Sequence, residues 1–325
     1  MTLAQPAWKR PTYRWAAKLA ATVLLLWTLQ AFLDLDRIRA ALAAVEWHWG
    51  LLGAAIGLIF ASLRVMKWQV LARANGLVAP HAKVMRLVFQ SLILGILTPG
   101  RIGEAMCLAP YPAERRIQGL VLFAFDRATE VAVVLLLAIP ACILFAGPWA
   151  WLLVPVAVAP ALVLFGPGRK LGWLKRLADR TGLDRFKIVQ ALTGFPVALP
   201  ISYVVLNVIS QLVSYFGVVA FIASLAEITT WLFFPTLPVV TLSNAISVTI
   251  GGLGVREGLA ALLLPLGGIA PEVAATSFLL SFFFTRVTPG LLGMAWSLML
   301  DLTTQVRRQD RQGSESRLTR RQSED

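Results

Sequence analysis

From about residue 15 to residue 300 the chain is a series of apolar runs, several of them reaching the roughly 20 residues a helix needs to cross about 30 Å of hydrocarbon. That pattern decides the solvent before it decides the fold. Backbone in hydrocarbon must satisfy its own N–H and C=O groups, so only helices or closed barrels can span, and unbroken runs of this length are helical. Composition agrees: 58% of residues are hydrophobic and 14% charged, where a soluble domain has roughly 45–50% and about 25%. The expectation is an all-α polytopic membrane protein with no separate soluble catalytic domain.

Six runs read as full transmembrane helices, at roughly 15–33, 48–70, 117–146, 149–166, 197–225 and 272–300. Two more apolar stretches, 83–110 and 231–267, are interrupted by "TPGRIGE" and "IGGLGVREG". Glycine and proline stand there where a continuous helix needs neither, so each stretch is expected to be a re-entrant or broken helical hairpin. The N-terminus begins with basic residues like a signal peptide, but its apolar part runs on to Leu33 without a small-residue cleavage site and reads as a retained span.

Lysine and arginine in short loops mark the cytoplasmic side. With the N-terminus inside, 24 of the 30 basic residues fall on that side, among them Arg64, Lys67, Arg73, Lys83 and Arg86 around the exit of the second span, against only Arg37 and Arg39 outside. This predicts a cell inner-membrane location with both termini cytoplasmic. The organisation expected is a cytoplasmic N-terminus at 1–14, one transmembrane domain at 15–300 and a disordered cytoplasmic tail at 301–325. The segment 34–49 reads as an external interfacial helix, and the basic loop 169–187 as its internal counterpart. The net charge of +13 is therefore explained by topology and by contact with anionic lipid, and nucleic acid is not expected as a partner.

The two interrupted stretches resemble each other. Gly100, Gly103 and Glu104 precede Arg127 in "FDRAT", and Gly252, Gly254 and Glu257 precede Arg286 in "FTRVT". Each unit, about 48–146 and 197–300, is span, hairpin, span, and the topology makes the two units inverted. Inverted repeats with broken segments in matching positions point to a binding site near the midplane where the halves meet. Irregular backbone at that depth is tolerated where it is buried or lines a cavity.

The candidate site is drawn from the intramembrane charges, since a charged side chain at mid-bilayer costs at least about 2.5–3.5 kcal/mol unless partnered. Arg101, Glu104, Asp126, Arg127, Glu130, Arg256, Glu257 and Arg286 are the substrate-binding candidates, four acids against four bases and so a neutral network. Gly100, Gly103, Gly251, Gly252, Gly254 and Gly258 are the hairpin glycines. Asp126 and Glu130 share a helix face, with Arg127 about 100° away. A second glycine pair, Gly53 and Gly57, is a GxxxG read as helix packing.

Other classes fit poorly. Cys107 and Cys142 lack metal or disulfide spacing, and His48 and His81 stand at segment ends, so neither a metal nor a cofactor is expected. The glycine clusters match neither the dinucleotide nor the P-loop spacing. No catalytic histidines, paired aspartate-rich motif or GxSG is present, so no enzymatic activity is assigned.

At "TPGRIGEAM" 98–106, "FDRATEV" 125–131, "GGLGVREGL" 251–259 and "FFFTRVTPG" 282–290 the chain resembles the transmembrane region of the lysylphosphatidylglycerol synthase family. It departs from the usual pattern where Met106, Cys107 and Leu108 replace an expected arginine, and where Thr249 and Ile250 replace an expected proline. The aminoacyl-transferase domain of the full-length synthases is not in this sequence, so lysyl transfer is not carried over. The resemblance implies a flippase-like protein that moves an anionic phospholipid or a polyprenyl-type lipid between leaflets. The alternative is a lipid-presenting subunit for a lipid- or glycan-modifying enzyme. Membrane lipids are the expected partners; a transferase partner and a homo-oligomer both remain open.

Overall fold

A computed structural model describes residues 43, 45–147, 153–159, 197–245, 249 and 252–300. These form helices α1 (Trp47–Ala74), α2 (His81–Leu97), α3 (Arg116–Leu137), α4 (Ile139–Phe145), α5 (Ile201–Leu225), α6 (Thr236–Leu242), α7 (Val255–Leu263) and α8 (Pro271–Phe282). A 3-10 segment, Pro99–Leu108, follows α2, and a π segment, Phe283–Val287, joins α8 to a helical continuation at 288–300. No strand occurs among the described residues.

Among the described residues, four helical rods are long and apolar enough to cross a membrane: Trp47–Ala74, Arg116–Phe145, Ile201–Leu225 and Pro271–Leu300. At about 1.5 Å per residue, even the shortest exceeds the hydrocarbon thickness. They coincide with four of the six expected spans. The span at 15–33, the interfacial segment before residue 43, the loop 169–187 and the tail 301–325 lie outside the described residues, as does most of the span at 149–166, of which 153–159 is helical.

Between the rods of each half lie short elements. The 17-residue α2 and the 10-residue 3-10 segment occupy the first interruption, and the 7-residue α6 and 9-residue α7 the second. None is long enough to cross alone. Each half thus has the same order of parts: long helix, broken hairpin, long helix.

Close approach of small residues sets the packing. Asn75 at the end of α1 donates to the Ala198 carbonyl (2.9 Å) and accepts from its N–H (2.8 Å), just before α5 begins. Further along, Lys67 meets Asn207, Ile56 meets Gly217, and Gly53 meets Phe221. Rising numbers on α1 pair with falling numbers on α5, so the two helices are antiparallel. Gly57 lets α1 reach the π segment: a Cβ there would stand 2.0 Å from the Phe284 carbonyl oxygen.

The halves also exchange supports. The first half's α2 leans on the second half's last span, where Gly290 and Gly293 face Ile93 and Phe89, while the second half's α6 packs on α3. One apolar cluster gathers around Val65, Trp68, Leu92, Leu122 and Tyr203, and another around Val218, Ile222, Phe233, Val240 and Phe278.

Candidate functional site

The first hairpin turns on Thr98. Its hydroxyl donates to the Leu94 carbonyl (2.7 Å) and accepts the Gly103 N–H (2.6 Å), which holds the 3-10 segment back against α2. A Cβ on Gly103 would lie 2.3 Å from the Leu94 carbonyl oxygen. Glycine is therefore needed here for closeness, while at Gly252 and Gly254 it is needed for backbone conformation, with φ of 76° and 86° that side-chain-bearing residues rarely adopt. Gly258 lies inside α7 and Gly100 in the 3-10 segment. Gly251 and the side chain of Arg101 lie outside what is described.

That hairpin delivers Glu104 into a set of arginines. Glu104 Oε2 accepts from Arg64 Nη2 and Arg127 Nη1, each at 3.1 Å, and its Oε1 lies 3.6 Å from Arg286 Nη1. Arg127 also pairs with Asp126 and, at 2.7 Å, with Glu130. Although its Cβ leaves α3 on another face, the long side chain curls back between the two acids. Asp126 in turn meets Lys67 at 3.0 Å and accepts from the Tyr203 hydroxyl at 2.9 Å. Glu130 accepts from Gln211 at 3.4 Å. One continuous network thus ties α1, the first hairpin, α3, α5 and the π segment together.

Arg64 and Lys67 are not the solvated loop cations that the sequence-based count took them for. Counted there among cytoplasmic cations, they are buried, at 6% and 2% exposure, inside the network. Gly53, Gly57, Arg64 and Lys67 follow one another at four, seven and three residues, the repeat of a single helix face. The glycines pack that face inward, and the cations go with it. Their inclusion also changes the charge. The described cluster has five bases (Arg64, Lys67, Arg127, Arg256, Arg286) against four acids (Glu104, Asp126, Glu130, Glu257), so it carries a formal +1 where a neutral network was expected.

The second hairpin uses its charges differently. Glu257 accepts the Gly254 N–H at 2.7 Å, capping α7, and pairs with Arg256. The Arg256 guanidinium lies 4.5 Å from the centroid of Phe282, within cation–π range, and its buried Nε–H has no acceptor among the described residues.

A cavity of about 260 Å³ opens beside this network. Glu104, Arg127 and Glu130 come to its wall from the first half, and Arg256 and Arg286 from the second. Gln211, Ser214, Tyr215, Thr241 and Asn244 add neutral polar groups, and Phe60, Phe123, Phe278 and Phe282 are aromatic. Asp126 stands behind the wall, and Glu257 acts through Gly254 and Arg256. Of the eight candidate residues, the structure brings Glu104, Asp126, Arg127, Glu130 and Arg286 into one network, sets Arg256 on the cavity wall beside it, and places Glu257 as the support of Arg256.

Apolar rods, short interior hairpins and a charged internal cavity define a multi-pass membrane protein. Over residues 15–293 the chain matches the lysylphosphatidylglycerol synthase TM region family. It belongs to that family, whose members are membrane proteins related to lipid handling. No curated protein and no solved structure matches it.

Proposed function

We propose that the protein is a lipid translocator that takes an anionic headgroup into this cavity and passes it between leaflets without ATP hydrolysis. One observation carries the reading: three arginines from both halves of the chain converge on one cavity, in a described cluster whose formal charge is +1. An anion completes that balance. The guanidinium fork suits phosphate oxygens, and such charge-assisted bonds are strong where water is scarce.

The cavity's size supports headgroup binding. At about 260 Å³ it is smaller than the roughly 300–1,000 Å³ pockets that enclose a whole drug-sized ligand. A phosphate headgroup has space there while acyl chains stay in the bilayer. The antiparallel α1 and α5 support reading the halves as an inverted repeat, with hairpins entering from opposite faces. Rocking of one half against the other then exposes the cavity to each leaflet in turn. The Glu104–Arg286 contact, which joins the halves, is the interaction an entering phosphate competes with.

The proposal places the protein in the cell inner membrane with cytoplasmic termini. Its test is reconstitution of the full chain with labelled anionic phospholipids and polyprenyl phosphates, followed by leaflet exchange. Exchange faster than in protein-free vesicles is expected for at least one anionic lipid; none would end the proposal.

A further inference from the structure

An anion brings the described cluster from +1 to neutrality, so the emptied cavity has one positive charge to shed before the halves rock back. An unbalanced charge inside the membrane is costly. Four of the five bases are arginines, which keep their proton in proteins; the fifth, Lys67, is the one whose chemistry allows it to give a proton up. It is buried behind the cavity wall, 3.0 Å from Asp126 and donating to Asn207 Oδ1 at 3.4 Å.

The groups around Lys67 tolerate the change. Asp126 and Glu130 face it from α3, and Asn207 and the Tyr203 ring from α5. Arg127 pairs with both acids, Glu104 and Arg64 follow along the network, and Cys107 of the 3-10 segment is within electrostatic reach of Asp126. With Lys67 neutral, Asp126 keeps Arg127 and the Tyr203 hydroxyl, Glu130 keeps Arg127, and the amine still has N–H groups for Asp126 and Asn207. No acid is left as a stranded charge, the situation that makes burial expensive. Glu130 supplies the way out. Its Oε2 lies 3.8 Å from Lys67 Nζ, and its side chain, 18% exposed, stands on the cavity wall.

We propose that Lys67 exchanges a proton with the cavity through Glu130, and that one proton accompanies each lipid anion across the membrane. On release, an ammonium N–H bond of Lys67 breaks and an O–H bond forms on Glu130, which passes the proton to water in the cavity. On loading, the sequence runs in reverse. The loaded and the emptied clusters are then both neutral, and the cycle moves no net charge. The inference rests on the headgroup reading of the cavity and adds the driving force, a pH gradient, to a translocator that does not hydrolyse ATP.

The experiment reconstitutes the full chain in vesicles with a trace of labelled phosphatidylglycerol, a phosphodiester that keeps one charge across the neutral range. A gradient of about one pH unit is imposed and the label in each leaflet is measured. One proton per lipid predicts that the label collects on the alkaline side at a leaflet ratio of about tenfold, and that a protonophore abolishes this bias. A potassium diffusion potential without a pH gradient should produce none. Lys67→Arg keeps the charge without the exchangeable proton, and should lose the bias while the label still equilibrates by exchange of one lipid for another. Glu130→Gln closes the route and should lose the bias too. A wild-type ratio near one while the label exchanges, or a ratio set by the membrane potential, overturns proton coupling and leaves lipid translocation standing. A bias that survives in folded Lys67→Arg, or in Glu130→Gln where the arginine variant does not fold, overturns the assignment of the proton to this pair. If the label does not exchange at all, the headgroup reading falls as well.

Discussion

Glu104 Oε1 and Arg286 Nη1 stand 3.6 Å apart although 182 positions separate them, one on the first hairpin and one on the π segment of the last span. The pair crosses from one half of the molecule to the other. Arg64 and Arg127 hold the second carboxylate oxygen from the first half. A π segment in a spanning helix is itself uncommon and concentrates at functional positions; here it carries Arg286 and meets α1 at Gly57.

The approach at Gly57 sets a stability test. Alanine there puts a methyl 2.0 Å from the Phe284 carbonyl, a backbone atom, whereas alanine at Gly53 meets the far edge of the Phe221 ring at 2.5 Å. Gly57→Ala is expected to destabilise by about 1–3 kcal/mol, since α1 and the π segment must separate. Gly53→Ala should cost less, because the ring can shift and alanine favours helix by up to about 1 kcal/mol. Thermal unfolding in detergent compares the two.

Lys67 and Asp126 are both almost fully buried at 3.0 Å. Removing one member strands the other, at a cost of about 3–5 kcal/mol. Lys67→Met should therefore destabilise strongly. The double variant Lys67→Met/Asp126→Asn should cost clearly less than the two singles added together, a coupling expected of residues in contact. A solvated loop lysine would give almost no effect, and so would disprove the burial directly.

Glu257 has two separable duties. Glu257→Ala removes both the acceptor for the Gly254 N–H and the counter-charge of buried Arg256; the cap's share of the loss is about 1 kcal/mol. Glu257→Gln keeps an acceptor and loses only the charge opposite Arg256. Stranding the buried Arg256 charge should cost about 3–5 kcal/mol, and the alanine variant should exceed that loss by the worth of the cap. Equal loss of stability in both variants would assign Glu257 no capping role.

Much of this was legible in the sequence, though for uneven reasons. Long apolar runs, the interrupted stretches and the acids at Glu104, Asp126 and Glu130 announce themselves because hydrocarbon tolerates neither charge nor irregular backbone without cause. Arg64 and Lys67 were misplaced because a cation near a span's end is ordinarily topological, and only the shared face with Gly53 and Gly57 signals otherwise. Gln211, Ser214 and Asn244 carry no motif, since neutral polar residues occur throughout membrane helices. Their place on the cavity wall depends on how α5 and α6 meet across the fold. Gly103 was expected as a hairpin glycine, but that its part is to let the 3-10 segment close against the Leu94 carbonyl is something spacing alone cannot express.

Leaflet exchange in proteoliposomes, with anionic and neutral lipids of matched chains compared in the wild type and in Arg256→Ala and Arg256→Lys, tests the central claim most directly. The account predicts faster exchange of the anionic lipid in the wild type, a loss of about tenfold or more on Arg256→Ala, and partial recovery with lysine, which keeps the charge but not the fork. Exchange that is equally fast for neutral lipid, or unchanged in Arg256→Ala protein that is folded, would contradict it.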